Sequence, residues 1–163
     1  MKKYSREDQV LLARWALDCA ERVLGLFEAA APHDDRPRRA LEAGRDWVRT
    51  GQFSMSTIRR ASLDAHAAAK DVKANPPAAH AAHACGQAVA TAHVAQHAYG
   101  GAYYALKAIA ALDHEDAVGR VGSEMRWQLR RLPPHLRDEI MGRIVVEKRR
   151  GGLFISIGKD AGF

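Results

Sequence analysis

An all-α domain of about six helices, packed as a single bundle around a central Ala/Gly/His-rich helix, is the fold the sequence predicts. Three observations carry that expectation. The stretch from Ala74 to Leu106 contains no Asp, Glu, Lys or Arg, in a chain whose charged fraction is 27%. Such a run must be shielded on most sides, and its abundant alanine favours helix. Elsewhere apolar residues recur at steps of three and four, the spacing of one helical face. Pro, Gly, Ser and Asp punctuate these segments at helix-start and helix-stop positions.

The first helix is expected from about Ser5 to Ala30. Ser5 is a suitable N-cap, with Glu7 and Asp8 complementing the helix dipole in the first turn. Leu12, Trp15, Cys19, Val23 and Leu26 form its inward stripe, broadened by Ala16, Ala20 and Phe27, and Pro32 ends it. The chain restarts at His33-Asp34-Asp35-Arg36-Pro37-Arg38-Arg39, where an acidic cap and a first-turn proline mark a helix start. This second helix turns Ala40, Leu41, Gly44, Trp47 and Val48 inward and closes at Gly51. Ser54 or Ser56 opens a third helix to about Lys73, with Met55, Ile58, Ser62, Ala65, Ala69 and Val72 on a narrow stripe. After Asn75-Pro76-Pro77 the central helix is expected from about Ala78 to about Leu112, with Gly100-Gly101 the place for a kink or break. A fifth helix follows from near Asp113 or His114 to Leu132, with Val118, Val121, Met125 and Leu129 inward. The sixth begins at Pro134 and carries Leu136, Ile140, Ile144 and Val145 to about Arg149.

Gly151-Gly152 then breaks the pattern, and Leu153, Phe154, Ile155 and Ile157 have strand-like composition. A lone strand has no partner in an all-helical domain. The expectation is an extended arm, docked on its own helices in a monomer or paired with a second copy in a homodimer; docking on the same chain is preferred. The chain thus divides into a helical body over residues 1–150 and a tail over 151–163, without a linker that separates two domains.

A length of 163 residues suits one domain with a sizeable core. The net charge of +6 permits nucleic acid or an acidic protein as partner. A membrane span is disfavoured because four histidines, two glutamines and a threonine interrupt the uncharged run. Cys19 and Cys85 stand alone without Cys-x-x-Cys spacing and read as small buried hydrophobes. Arg6, Glu7, Asp8 and Arg14 break up any secretion signal, so a reduced, cytoplasmic compartment is expected.

Four groups of residues bear on function. His93 and His97 are spaced i, i+4, the spacing of two zinc ligands on one helix face. A third ligand would have to come from another helix, from His66 or Asp34, and the reading adopted is hydrogen-bonded interior histidines. His80 and His83 are lesser candidates. Asp34, Asp35, Arg36 and Arg38 read as a capped helix start with solvated charges, or as a binding cluster at the mouth of the bundle. Arg126, Arg130, Arg131 and Arg137 with Trp127 read as snorkelling side chains, or as a nucleic-acid face. Nucleophile-elbow, phosphate-loop and dinucleotide motifs are missing, so neither catalysis nor a cofactor is expected.

Four sets of segments occur in order: Cys19-Ala-Glu-Arg-Val-Leu24, Asp34-Asp-Arg-Pro-Arg38 with Ala40-Leu-Glu-Ala43 and Trp47, Ala90-Thr-Ala-His-Val-Ala95 with His97-Ala98, and Trp127-Gln128 with Leu132-Pro133 and Leu136-Arg137. Together they resemble a bacterial family of immunity proteins described as immunity-protein-five-like. The resemblance covers roughly residues 10 to 145. It implies an all-helical intracellular protein that protects its producer by binding a cognate protein toxin, and it assigns no catalytic residues. A nucleic-acid-binding helical module, and a metal-dependent enzyme using His93 and His97, are the alternative readings.

Overall fold

The computed structural model describes residues 3–112 and 115–158. Among these the chain forms seven α-helices: α1 (Arg6–Ala30), α2 (Arg36–Thr50), α3 (Met55–Asp71), α4 (Pro76–Ala90), α5 (His97–Ala110), α6 (Ala117–Arg131) and α7 (Pro134–Met141). Two strands, β1 (Ile144–Arg149) and β2 (Gly152–Ile157), follow. The predominantly helical class agrees with expectation.

Local chemistry sets the helix starts. Ser5 Oγ accepts from Asp8 N at 3.0 Å, and Ser54 Oγ accepts from Thr57 N at 3.3 Å, each satisfying a donor the helix leaves open. Asn75 does the same for α4, just ahead of Pro76 and Pro77. Gly51 ends α2 at φ 69, in the left-handed region that glycine enters without steric cost.

α4 packs against α1, α2, α3 and α5 and is the centre of the bundle. Its alanines, with Cys85 and Gly86, are all buried, and only the face carrying His80, His83 and Gln87 is half-buried. The inward stripes of α1 and α2 are as expected: Leu12, Trp15, Cys19, Val23 and Phe27 pack with Leu41 and Trp47 in one core. On α3, Ile58, Ala65 and Ala69 are buried while Met55 is exposed. Both cysteines are free and fully buried, and burial pushes their thiols well above the ordinary range.

Four expectations are corrected. The uncharged run is not one helix from Ala78 to Leu112: it breaks into α4 and α5 across residues 91–96. Thr91 Oγ1 bonds back to Gln87 O, and short-range turns replace the regular ladder through His97. The carbonyls released at the break are taken up by α1, whose Gln9 Nε2 donates to Thr91 O (2.9 Å) and Ala92 O (3.1 Å). Gly100-Gly101 lies within α5 without breaking it. A Cβ on Gly101 would sit 3.2 Å from the Ala16 Cβ, so this glycine serves the close approach of α5 to α1.

The second correction concerns the C-terminal part. α7 stops at Met141, and Ile144–Arg149 is a strand, in keeping with its β-branched Ile-Val-Val start. It pairs antiparallel with β2 from Ile144↔Ile157 to Arg149↔Gly152, so the expected lone strand has its partner in the same chain. Ile144 and Ile155 are buried, and β2 packs on α5. The third correction is a rotation of α6. Val121, Glu124 and Gln128 are buried, while Val118 and Leu129 are 53% and 38% exposed. Residues Asp113 and His114, offered as that helix's start, lie outside the described residues; Asp116 caps it by accepting from Gly119 N. The fourth, the exposure of His93, is taken up with the site.

A polar clamp fastens the N-terminal segment across the bundle. Tyr4 donates to Glu139 Oε1 at 2.7 Å on α7 and is hydrogen bonded to the fully buried Tyr99 hydroxyl on α5. His135 Nε2 meets Asp8 Oδ1 at 2.7 Å beside it.

Replacing Gln9 by Ala strands two carbonyls at the break between α4 and α5. We expect a loss of about 1–2 kcal/mol in unfolding free energy, read as a melting temperature lowered by several degrees. An unchanged melting curve would show that the break needs no support from α1.

Candidate functional site

The four charged residues at the start of α2 do not form one site. Asp34 and Arg36 pair through two bonds, Nε to Oδ1 at 2.9 Å and Nη2 to Oδ2 at 2.6 Å. Arg36 also reaches Asp71 Oδ2 at 2.6 Å and so ties α2 to the end of α3. Hydrogen bonding from Arg36 holds the Asp34 carboxyl below its usual range. Arg38 turns the other way, to Glu28 (2.8 Å) and Glu21 (3.0 Å) on α1. Asp35 occupies the N-cap position without capping through its side chain, and pairs with Arg39 at 2.8 Å. Arg45 adds contacts to Asp18 and Glu21. Apart from Asp35–Arg39, which stays within the first turn of α2, these are latches between helices, and each guanidinium is matched to a carboxylate.

The histidines form two groups along α3, α4 and α5. His66 on α3 and His83 on α4 bring their Nδ1 atoms to 2.8 Å, so one donates and the other accepts. Tyr104 on α5 lies against His83 at 5.0 Å and His80 at 5.9 Å between ring centroids. A Cβ on Gly86 would fall 2.9 Å from the His66 ring, so glycine at that position makes room for the pair. In the second group His97 Nδ1 donates to Gln87 Oε1 at 2.8 Å, with the ring centroid of His93 5.1 Å from that of His97.

The expected interior pair is therefore half correct: His97 is partly buried and hydrogen bonded, but His93 is exposed. The reason is the break at residues 91–96, which takes His93 off any helix and makes His97 the first residue of α5. The offered ligands His66 and Asp34 are engaged elsewhere, with His83 and Arg36. Among the described residues no three of His, Cys, Asp and Glu are placed to share a metal ion.

Sequence reasoning missed the His66–His83 contact, which no spacing encodes, although Gly86 opposite His66 is its trace. It also missed Arg22–Glu124. Glu124 is 4% exposed on α6 and accepts from Arg22 Nε at 2.9 Å, while the Arg22 guanidinium stacks over Trp127 at 4.1 Å. Arg131 lies over the same indole at 5.1 Å, as helical spacing predicts. Arg137 donates to Leu132 O and Arg130 O and closes the C-terminus of α6.

Residues 2–135 match the model of the family described as Imm-5 like putative immunity protein, and the chain belongs to that family. The match runs from the N-terminal segment into the start of α7 and leaves the β1–β2 hairpin outside it. No curated protein and no solved structure matches the chain. No helix among the described residues is long and apolar enough to cross a membrane.

The histidine group makes stability depend on pH. Burial, then the neighbouring His83 and Lys70, bring His66 down to about 4, and burial lowers His80, His83 and His97 as well. A folded-state pKa below the unfolded value near 6.5 means that the unfolded chain binds more protons between the two. Stability should therefore be intact above pH 6.5 and decline as pH falls toward 4. Urea unfolding at a series of pH values should show that decline, and His66→Gln should flatten it. An equally steep decline in the variant would place the titrating group elsewhere.

Proposed function

We propose that this protein neutralises a cognate bacterial toxin by direct binding and performs no chemistry itself. The observation that carries the reading is the family match over residues 2–135. The distribution of polar groups is in keeping with it. Asp34, Arg36 and Arg38 are spent on joining helices, and His66, His83 and His97 are paired with neighbours inside the bundle. The protein acts as one domain and as a monomer in the cytoplasm of the cell it protects, where a preformed rigid surface keeps the entropic cost of capture low. The metal-dependent alternative has no support in the placement of His93, His97 and His66.

The test is co-expression with the toxin encoded beside this chain's gene. Growth should be rescued, and the two chains should copurify as a stable complex. Persistent growth arrest with no complex, for a toxin shown to be active alone, would overturn the proposal.

A further inference from the structure

α6 contains one acidic residue, Glu124, and that residue is turned inward to Arg22. At 100° per residue, Arg126, Arg130, Ser123, Trp127, Arg120 and Arg131 fall within an arc of about 140° on the helix, an arc that holds no carboxylate between Ala117 and Arg131. From Arg120 to Arg131 this strip is about 16 Å long at 1.5 Å per residue. Arg120, Arg126, Arg130 and Arg131 are all exposed. Among the described residues no carboxylate pairs with any of the four; Arg126 meets only Ser123 Oγ, and Arg131 only the Trp127 ring. The contrast with α2 is direct, because Arg36, Arg38, Arg39, Arg45 and Arg49 each have a carboxylate partner. Four like charges on fifteen residues of helix repel one another; the helix dipole compensates Arg130 and Arg131 in the last turn but not Arg120 and Arg126. Beside the strip, a cleft of about 610 Å³ between α5 and α6 is lined in part by Arg22, Arg120, Arg126, Arg130 and Trp127; its two carboxylates are Glu124, held by Arg22, and the N-cap Asp116, which accepts from Gly119 N.

We infer that this face of α6 is the surface that docks the toxin, and that it recognises a carboxylate-bearing patch on the toxin's surface. The inference rests on the toxin-binding function proposed above. Guanidinium groups bind carboxylates through two parallel bonds, and unpaired arginines at the edge of a cleft offer that geometry without first breaking an internal ion pair. Trp127 is already stacked with Arg22 and Arg131, so its ring is engaged rather than offered as a platform for a base. That engagement of the ring, with four guanidinium groups left for carboxylates, favours an acidic protein over nucleic acid.

The experiment compares three full-length proteins against an attenuated form of the adjacent toxin by surface plasmon resonance. They are the wild type, Arg126→Glu/Arg130→Glu, and Arg59→Glu/Arg60→Glu, whose exposed arginines on α3 likewise have no carboxylate partner among the described residues. Reversal on α6 should weaken binding by at least about tenfold, mainly through slower association, and should abolish the salt sensitivity of the on-rate. The α3 reversal should change it by less than about threefold. Arg126→Gln/Arg130→Gln gives an intermediate loss and serves where the reversal fails to fold, with thermal melting as the check. An equal loss from both faces, or none from α6, overturns the inference and leaves toxin binding standing. A wild type that does not bind the toxin removes the proposed function and this inference with it. A short DNA duplex and a single-stranded RNA complete the design: tight binding that the α6 reversal abolishes, with toxin binding unchanged, overturns the inference in favour of nucleic acid.

Discussion

Close approach of backbones through alanine and glycine is the constraint on which the structure depends. α4 touches four other helices, and it can do so only because almost no side chain on it is large. Where Gly101 meets Ala16 there is no room for a further methyl group without displacement. Such packing gains many short dispersion contacts but leaves little apolar area per residue. The larger hydrophobes therefore come from the neighbours: Leu12, Leu17, Leu24 and Phe27 on α1, Leu41 on α2 and Leu106 on α5.

A core element without Asp, Glu, Lys or Arg still contains polar groups, and their treatment is consistent. Burial lowers the affinity of His80, His83 and His97 for protons, so these members of the uncharged stretch remain neutral at neutral pH. The ion pairs are displaced to the rim, where α1, α2 and α3 are latched by Asp34–Arg36–Asp71 and Arg38 with Glu21 and Glu28. Most of those groups are substantially exposed, and such pairs contribute little stability individually. Their use is positional: they fix which face of α2 meets which neighbour.

Much of this was legible in the sequence because it is encoded locally. Ser5, Ser54, Asn75 and Gly51 mark helix ends through their own side chains or backbone, and the stripe on α1 reads directly as its buried face. What was not legible depends on partners distant in the chain. Nothing between Ala90 and His97 resembles a helix breaker, and the break is supported by Gln9, some eighty residues earlier. Ile144 and Val145 continue the helical spacing of Leu136 and Ile140, and only pairing with Gly152–Ile157 makes that segment a strand. On α6 the apolar stripe of Val118 and Leu129 misled, because Glu124 is drawn inward by Arg22 and rotates the helix with it. The charged residues singled out at the start of α2 were the conspicuous cluster, yet they are the matched ones; among the described residues the four arginines on the outer face of α6 have no carboxylate partner.

The two cysteines lend the protein a practical property. Cys19 and Cys85 are sealed on the buried faces of α1 and α4, and burial keeps their sulfurs protonated and out of reach of solvent. In the native state the surface is thus silent toward thiol reagents. A cysteine introduced at any exposed position becomes the one group that a maleimide dye or spin label can find, with the natural sequence otherwise untouched. The fold thereby supplies its own background for site-by-site mapping of whatever docks on it.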